Sequence, residues 1–416
     1  MRARTAIALG MALVAGVTLR LVWVGDMEYK ADEAYMFHRT QAVGVSEPWP
    51  WLGQRSGVGL RNPGLSVWVF VAPARVLGLN NPTAVDRIVE VANIAALAVL
   101  VVFALRCVRE REREPWLWAT ALMAVSPTGI VLSRKIWAQS LLPLFSALAF
   151  MAWWSRRKRW AAFLWGLSGT LLGQVHMSGF FFAAGLALWT ALFDRRSVRW
   201  TAWLAGTLLG SVTLGPWLYW ALGHTEASHR SVANVLGLDF WRLWAERPLA
   251  LDLGVSLGPH FTSFLASPRV GGVSSYGVAV CYALILASAL VIIVGAVRSL
   301  WQLRRDWVQL LIGRSSPTAF GLSAALVGFG GLLTLSAVVI YRHYLLVAFV
   351  LPFLWIACLA LLRPQAGRRA LTLLCLAEAV LAAQFLAYVH VHHGAPRGDY
   401  GVSYSAQPTT RATTGH

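Results

Sequence analysis

The sequence is poor in charge, and poorest in acidic residues. Only 13% of its 416 residues are charged, and 18 Asp and Glu face 36 Lys and Arg, whereas 57% of the residues are hydrophobic. A soluble chain of this composition would expose large apolar patches, which excludes a soluble globular domain. The sequence therefore predicts an all-α polytopic membrane protein that forms a single integral membrane domain over residues 1–416.

Cysteine is also scarce, with four residues in the whole chain and no Cys-x-x-Cys spacing. This excludes a disulfide framework and gives no sign of a zinc site. Each cysteine falls inside or at the edge of an apolar run, so we expect all four to be packing residues: Cys107, Cys281, Cys358 and Cys375.

Apolar runs of near-membrane length dominate the rest of the chain. The first begins with a basic "MRAR" and lacks a small-x-small cleavage site before the next loop, so we expect a retained helix. The runs predict about eleven transmembrane helices, near 5–24, 86–107, 115–132, 136–154, 160–177, 178–193, 200–222, 276–297, 318–340, 343–362 and 370–389.

The formal charge of +18 could suggest nucleic acid, but the basic residues form short clusters between apolar runs, so we expect no nucleic-acid partner. The clusters fall in alternate connections, which predicts a cytoplasmic N-terminus in the inner (cytoplasmic) membrane. They are Arg2 and Arg4; Arg106, Arg109, Arg111 and Arg113; 156–159; Arg195, Arg196 and Arg199; Arg298, Arg304, Arg305 and Arg314; and Arg363, Arg368 and Arg369.

Three segments then face outward: the loop 25–85, the loop 223–275 and the C-terminal tail 390–416. Within the first loop, the apolar stretch 62–79 is broken by Pro73 and Arg75. Counting it as a crossing would turn the arginine cluster near 106–113 to the outside. We therefore expect a helix that lies in the outer membrane interface.

An acidic pair stands just outside the first helix, in "GDMEYKADEAYMFHRT", residues 25–40. At this depth a carboxylate of Asp32 or Glu33 can be partly desolvated and still reach a lipid head group, which suits a general base. The alternative from position alone is that the two acids cap and solvate a helix in the loop.

Basic and aromatic side chains are expected on the same face. Arg, Lys and His beside Tyr are good donors to a phosphate ester, although snorkelling to head groups would place them equally well. His176 has the further alternative of a hydrogen-bonded core histidine. The candidates for substrate binding are Lys30, Arg61, Arg134, His176, Tyr341, Arg342, His343 and Tyr344, with Lys135 beside Arg134.

Four stretches in order carry a family resemblance: "ADEAYMF", "RNPGLSVWVFVAPARVLGLNNPTAVDRIVEVANIAAL", "SRKIWAQSLLPLF" and "YRHYLLVAFVLP". They resemble the GT-C glycosyltransferases, in the branch of protein O-mannosyltransferases and the lipid A aminoarabinose transferase. The similarity follows the first 155 residues or so. The chain departs from the family pattern at Gly64, where a second proline is usual, and at Gln139 and Ser140, where an acidic residue is frequent.

The resemblance implies a GT-C-like fold and transfer of a hexose or pentose from a polyprenyl-phosphate carrier to a lipid, glycan or protein acceptor. Asp32 would be the base in an inverting reaction, and Glu33 would support it, either directly or through a divalent metal ion. Arg134, Arg342 and His343 would hold the carrier phosphate. No other cofactor is implied.

Two other classes of protein fit a multi-helix chain. A secondary transporter would show two similar halves and charged, broken helices at mid-membrane, and the sequence has neither. A non-catalytic lipid-binding subunit of an envelope complex is the second alternative.

Overall fold

The computed structural model describes residues 3–56, 60–223, 269–270, 273–302, 307–338, 340–395 and 400–407. Almost all of the predicted outer loop 223–275 lies outside the described residues, as do residues 408–416 of the tail.

Seventeen α-helices occur in the described residues. They are α1 (Ala3–Leu21), α2 (Ala31–Ala42), α3 (Leu65–Leu77), α4 (Pro82–Arg106), α5 (Glu110–Val125), α6 (Pro127–Leu132), α7 (Leu142–Trp154), α8 (Arg159–Val175), α9 (Ser178–Phe193), α10 (Trp200–Ser211), α11 (Gly215–Gly223), α12 (Ser275–Gln302), α13 (Trp307–Ile312), α14 (Pro317–Leu322), α15 (Phe329–Leu335), α16 (Val350–Leu361) and α17 (Pro364–Val391).

Short elements complete the described chain. Three two-stranded antiparallel hairpins pair β1 (Leu52–Arg55) with β2 (Arg61–Pro63), β3 (Arg269–Val270) with β4 (Val273–Ser274), and β5 (Gly394–Ala395) with β6 (Gly401–Val402). A π-helical turn, Ser323–Gly328, joins α14 to α15. The 3₁₀ turns are Val24–Asp26, Ala138–Leu141, Arg195–Ser197, Val212–Leu214, Arg342–Ala348 and Tyr404–Ala406.

Each predicted apolar run coincides with one helix or with a continuous series of short ones. Within the described residues, five helical stretches are long and apolar enough to cross a membrane: Ala3–Leu21, Pro82–Arg106, Gly277–Ser299, Pro317–Leu335 and Pro364–Val391. The expected all-α polytopic membrane protein is confirmed, and eleven crossings remain a prediction.

Close helix contacts depend on small residues. A Cβ atom on Gly166 of α8 would lie 2.1 Å from the carbonyl oxygen of Trp203, and one on Gly206 of α10 would lie 2.0 Å from that of Phe163. The two glycines therefore let the backbones of α8 and α10 touch, as small residues do between membrane helices.

The predicted interfacial segment forms α3, a 13-residue helix with Pro73 inside it. At 1.5 Å per residue its length is about 20 Å, which is too short to cross a bilayer. The helix packs on α2, α4 and α8 and ends at Gly78, whose φ of 64° is a left-handed cap. Arg75 donates from α3 to the carbonyls of Gln41 and Val43, 2.7 and 2.6 Å away, at the end of α2.

The connections between helices form two groups, one joined by side-chain contacts and the other by a shared cavity. We call the acidic end the segments 22–56, 133–141, 176–177, 340–349 and 390–407, which contact one another through side chains described below. The basic end comprises the segments 107–110, 155–159, 194–199 and 313–317.

Candidate active site

Two buried arginines fix the chain where α1 enters the acidic end. Arg20, fully buried, donates to the carbonyls of Met123 and Ala124 at the end of α5, at 3.2 and 2.5 Å. Arg134 donates in turn to the carbonyls of Val22 and Trp23, just past α1, at 2.6 and 2.5 Å. Guanidinium groups at helix C-termini satisfy carbonyls that lack a helical partner and face the negative end of the helix dipole.

A buried ion-pair group lies next to this clamp. The Lys135 ammonium is 3.0 Å from Glu28 Oε1 and 3.3 Å from Glu33 Oε1, and all three side chains are at most 10% exposed. Lys30 reaches Glu28 Oε1 from the solvent side, at 2.5 Å. Burial disfavours the ammonium, but the two carboxylates outweigh it and raise the pKa of Lys135. Lys135 is therefore charged at neutral pH.

The two acids of the predicted catalytic pair face different surroundings. Glu33 is fully buried, and its Oε2 accepts the Lys30 backbone N–H, 2.9 Å away, at the start of α2. Asp32 is exposed, and its Oδ1 accepts a 2.5 Å hydrogen bond from Gln54 of β1. Neighbours on a helix differ by about 100° in direction, which separates an inward carboxylate from an outward one. Glu33 anchors α2, and Asp32 alone meets solvent.

Aromatic rings continue the site away from Lys135. The ammonium lies 4.4 Å from the centre of the Trp137 ring, a cation–π contact. Trp137 meets His343 edge to face at 5.2 Å, and His343 stacks on Tyr341 at 5.5 Å. Tyr344 packs edge-on against His343 at 4.6 Å. The structure thus joins the acidic loop to the "YRHY" motif through one continuous path of contacts.

His176 closes this path from the turn between α8 and α9. Its ring centre is 5.8 Å from that of His343 and 5.5 Å from that of Tyr344, and its Nδ1 is 2.8 Å from Ser178 Oγ. A small cavity of about 40 Å³ adjoins His176, Ser178 and Tyr344. The buried Tyr344 hydroxyl has no hydrogen-bond partner among the described residues.

The three remaining predicted site residues are Arg61, Arg134 and Arg342. Arg61 is exposed on β2, where its carbonyl accepts from Trp217 of α11 at 2.8 Å. The Arg342 side chain lies outside the described residues, although its backbone begins the 3₁₀ turn. Arg134 is only 1% exposed, so in this conformation its guanidinium holds α1 and does not reach a solvent-side phosphate.

Several residues of the site were missed by sequence reasoning. Glu28 pairs with Lys135, 107 positions away, and no local sequence pattern predicts such a pair. Gln54 and Trp137 likewise acquire their partners only in three dimensions. Asp86, fully buried in the second turn of α4, has no hydrogen-bond partner among the described residues. The spacing Asp86-x-x-x-Glu90 was a readable signal, because positions i and i+4 share one helix face.

A divalent ion on Glu33 does not fit this arrangement. Glu33 Oε2 accepts the Lys30 N–H, and Glu33 Oε1 forms an ion pair with the Lys135 ammonium but no hydrogen bond. Across the described ranges, no three His, Cys, Asp or Glu side chains converge as metal ligands would. No step below uses a metal.

The C-terminal segment 400–407 covers the loop that precedes the acidic pair. Tyr404 N–H donates to the Met27 carbonyl at 3.1 Å, and Gln407 donates to that of Tyr29 at 2.6 Å. Asp26 accepts from Ser405 at 3.0 Å and lies 2.7 Å from the His390 ring nitrogen. The predicted outer tail is therefore partly built into the site.

Comparison with known proteins gives similarity of structure only. No family model and no curated protein matches the chain. The archaeal oligosaccharyltransferase AglB from Archaeoglobus fulgidus, solved with an inhibitory peptide and a dolichol-phosphate, is 12% identical with a TM-score of 0.49, over 93% of this chain and 56% of that one. ArnT from Cupriavidus metallidurans, solved with undecaprenyl phosphate, is 14% identical with a TM-score of 0.46, over 93% and 77%.

The chain thus spans little more than half the length of the archaeal enzyme. Both similarities concern the course of the helices alone. They assign no activity to this chain, whose function has to be argued from its own site.

Proposed function

We propose that this protein is a membrane glycosyltransferase that moves a sugar from a polyprenyl-phosphate carrier to an acceptor hydroxyl. The observation that carries the proposal is the pair of environments at the start of α2. One carboxylate, Asp32, is exposed and oriented by Gln54, and the next, Glu33, is locked to Lys135. A rigidly held, accessible carboxylate beside a membrane helix suits a base that acts on a lipid-borne substrate.

Asp32 takes the proton of the acceptor hydroxyl while its oxygen attacks the anomeric carbon from the face opposite the phosphate. The new carbon–oxygen bond forms as the bond to the phosphate breaks, and the carrier phosphate leaves with the electron pair. The products are the glycosylated acceptor, with inverted configuration, and polyprenyl phosphate. The proton then passes from Asp32 to water. Because Gln54 binds Oδ1, the second oxygen of Asp32 is left to face the acceptor.

The carrier phosphate is assigned to the basic and aromatic side chains beside the acid. Lys30 and His343 supply nitrogen donors along the path from Glu28 to the "YRHY" motif, and Tyr341 supplies a hydroxyl. Such groups neutralise charge that develops on a departing phosphate. Arg342 and Arg61 complete the proposed donors.

Arg134 acts as a positioning residue, because its guanidinium holds the carbonyls past α1. Glu33 has the same role toward Asp32. His176 and Tyr344 border the small cavity at the far end of the path, where a sugar hydroxyl would meet the unpaired Tyr344 hydroxyl. The acceptor is a lipid, a glycan or a protein.

Turnover of a defined donor tests the proposal. The full chain is placed in nanodiscs with a polyprenyl-phosphate-linked sugar and a membrane extract as acceptor, and released polyprenyl phosphate is measured by mass spectrometry. Acceptor-dependent release is expected. Binding without release across hexose and pentose donors would instead indicate a lipid-binding subunit. Passage of intact donor across a sealed vesicle would indicate a transporter.

The proposed orientation places the N-terminus in the cytoplasm and the acidic end outside the cytoplasmic membrane. A reporter fused after Arg159 is expected to be cytoplasmic, and one fused after His416 external. The opposite pattern would put Asp32 on the wrong side for an outer-leaflet donor.

A further inference from the structure

A second site lies at the basic end, and its lining shares no residue with the site around Asp32. Four connections meet around an open cavity of about 510 Å³: those after α4, α7, α9 and α13. The lining includes Arg109, Arg156, Arg157 and Arg314, with Asp194 the one acid among the lining residues. A second cavity of about 400 Å³ shares Arg157 and Asp194 with the first, and adds Arg196 and Arg199.

The single acid is already neutralised. Asp194 Oδ2 lies 2.5 Å from an Arg156 nitrogen and also accepts from Ser197 at 2.5 Å. Arg156 is held in place by the Trp153 ring, 4.4 Å from its guanidinium carbon, and by the Phe320 ring at 5.3 Å. The pair leaves the charge of the other arginines uncompensated.

Those arginines have no ion-pair partner within the part of the chain that the structure describes. Arg109, Arg157 and Arg314 are all exposed at the cavity. Charge that serves only to set membrane topology needs no common cavity, because it acts by its side of the membrane and not by its geometry. Here three arginines from three separate connections line one concave wall.

The cavity also has the polarity of a membrane boundary. Trp154, Phe193 and Phe320 line it together with Ser315 and Ser316. Aromatic rings at helix ends mark the level of the lipid head groups, and basic pockets between membrane helices bind anionic head groups.

We propose that this cavity binds the phosphate of an anionic phospholipid head group. The two adjoining cavities, joined at Arg157, suit a head group that carries two phosphates. Guanidinium groups bind phosphate oxygens through paired, charge-assisted hydrogen bonds, and the aromatic wall contacts the glycerol and the first methylenes of the chains. This proposal stands apart from the glycosyltransferase activity and does not depend on it.

Lipid retention tests it. The full-length protein is titrated with diphosphatidylglycerol, phosphatidylglycerol or phosphatidylcholine, and bound lipid is counted by native mass spectrometry. The cavity variant is Arg109→Gln/Arg157→Gln/Arg314→Gln, and its matched control is Arg106→Gln/Arg363→Gln/Arg369→Gln, which removes equal charge from exposed arginines that line neither cavity. Affinity for diphosphatidylglycerol is expected to fall about tenfold or more in the cavity variant only.

Equal weakening in both variants would overturn the proposal in favour of general surface charge. A second measurement uses the unmutated protein: Cys107 is exposed and lines the cavity, so diphosphatidylglycerol should slow its reaction with a maleimide, followed on the labelled peptide. Labelling that is unchanged by the lipid contradicts the site. Protection by inorganic phosphate or pyrophosphate as strong as that by lipid would contradict the lipid assignment and identify a soluble anion.

Discussion

The two ends of the bundle use charge in opposite ways. At the acidic end Arg20 and Arg134 are buried against helix carbonyls, and Lys135 is buried between two glutamates. At the basic end Arg109, Arg157 and Arg314 are exposed around a cavity. The net charge of +18 therefore combines basic side chains with two different structural roles. Part of the charge holds backbone together, and part is available to a ligand.

The largest expected effect on stability comes from substitution of Lys135 at the acidic end. Lys135→Met leaves the buried Glu33 without a counter-charge and Glu28 with only the 44% exposed Lys30, so the free energy of unfolding should fall by about 3–5 kcal/mol. Because the pKa of Lys135 is raised in the folded state, its stabilisation is complete below about pH 10.4 and is lost as the pH rises through the folded value. Denaturant unfolding in detergent measures the loss.

Lys30→Met is the matched control, since the Lys30 side chain is 44% exposed and contacts the same glutamate. Its effect should stay within about 1 kcal/mol. Equal losses for the two lysines would remove the distinction between buried and exposed charge at this end.

A pair of arginines compares the ends directly. Arg134→Gln removes two charge-assisted hydrogen bonds to the carbonyls past α1 and should cost about 3 kcal/mol of unfolding free energy. Arg109→Gln at the basic end should change it by at most about 0.5 kcal/mol. Thermal unfolding of the two variants, side by side, checks the order. An Arg134 variant as stable as the wild type would show that the clamp is unimportant.

The smallest expected effect comes from an ion pair between residues near the starts of α5 and α17. Glu114 accepts two hydrogen bonds from Arg368, at 2.6 and 2.8 Å, and these lower the pKa of its carboxyl. Glu114→Gln should cost about 1 kcal/mol near neutral pH. A lowered folded pKa stabilises above the unfolded value of about 4.3, so the difference from wild type should disappear as the solution is acidified.

Arg111→Gln serves as the reference for this pair. The Arg111 side chain is 72% exposed and lies 3.9 Å from Glu112, so no measurable change is expected at any pH. A Glu114 effect that persists unchanged at pH 3 would assign it to packing and not to charge.

The helices could be predicted from the sequence because an apolar run of membrane length forms a helix, in which the backbone hydrogen bonds are satisfied within the segment. The helices Pro82–Arg106 and Leu65–Leu77 both fall on the apolar stretches that the sequence marks, at 86–107 and 62–79. The direction of each acid in the Asp32–Glu33 pair was not readable. It depends on Lys135, which meets Glu33 only after more than a hundred residues have folded between them.

Arg134 illustrates a second limit. From its position between two apolar runs it was expected to hold a phosphate, and its guanidinium instead binds backbone carbonyls near α1. A sequence shows that an arginine lies at a helix end, but the partner is chosen by the packing of helices that are distant in the chain. Asp32 was chosen as a candidate base from a local signal, an acidic pair shortly after the first apolar run, together with the family resemblance, and that role stays a prediction.

The proposed function depends on one proton acceptor, and Asp32→Asn removes it with little change in shape. Transfer from a purified polyprenyl-phosphate-linked sugar should fall by about 10²–10⁴ fold, because a positioned base contributes that much to the rate. Donor binding and the unfolding temperature should be unchanged. Glu47→Gln, which removes another carboxylate from the same loop, one that pairs with Arg39, should transfer at nearly the wild-type rate. A folded Asp32→Asn protein that transfers sugar as fast as the wild type would contradict the account.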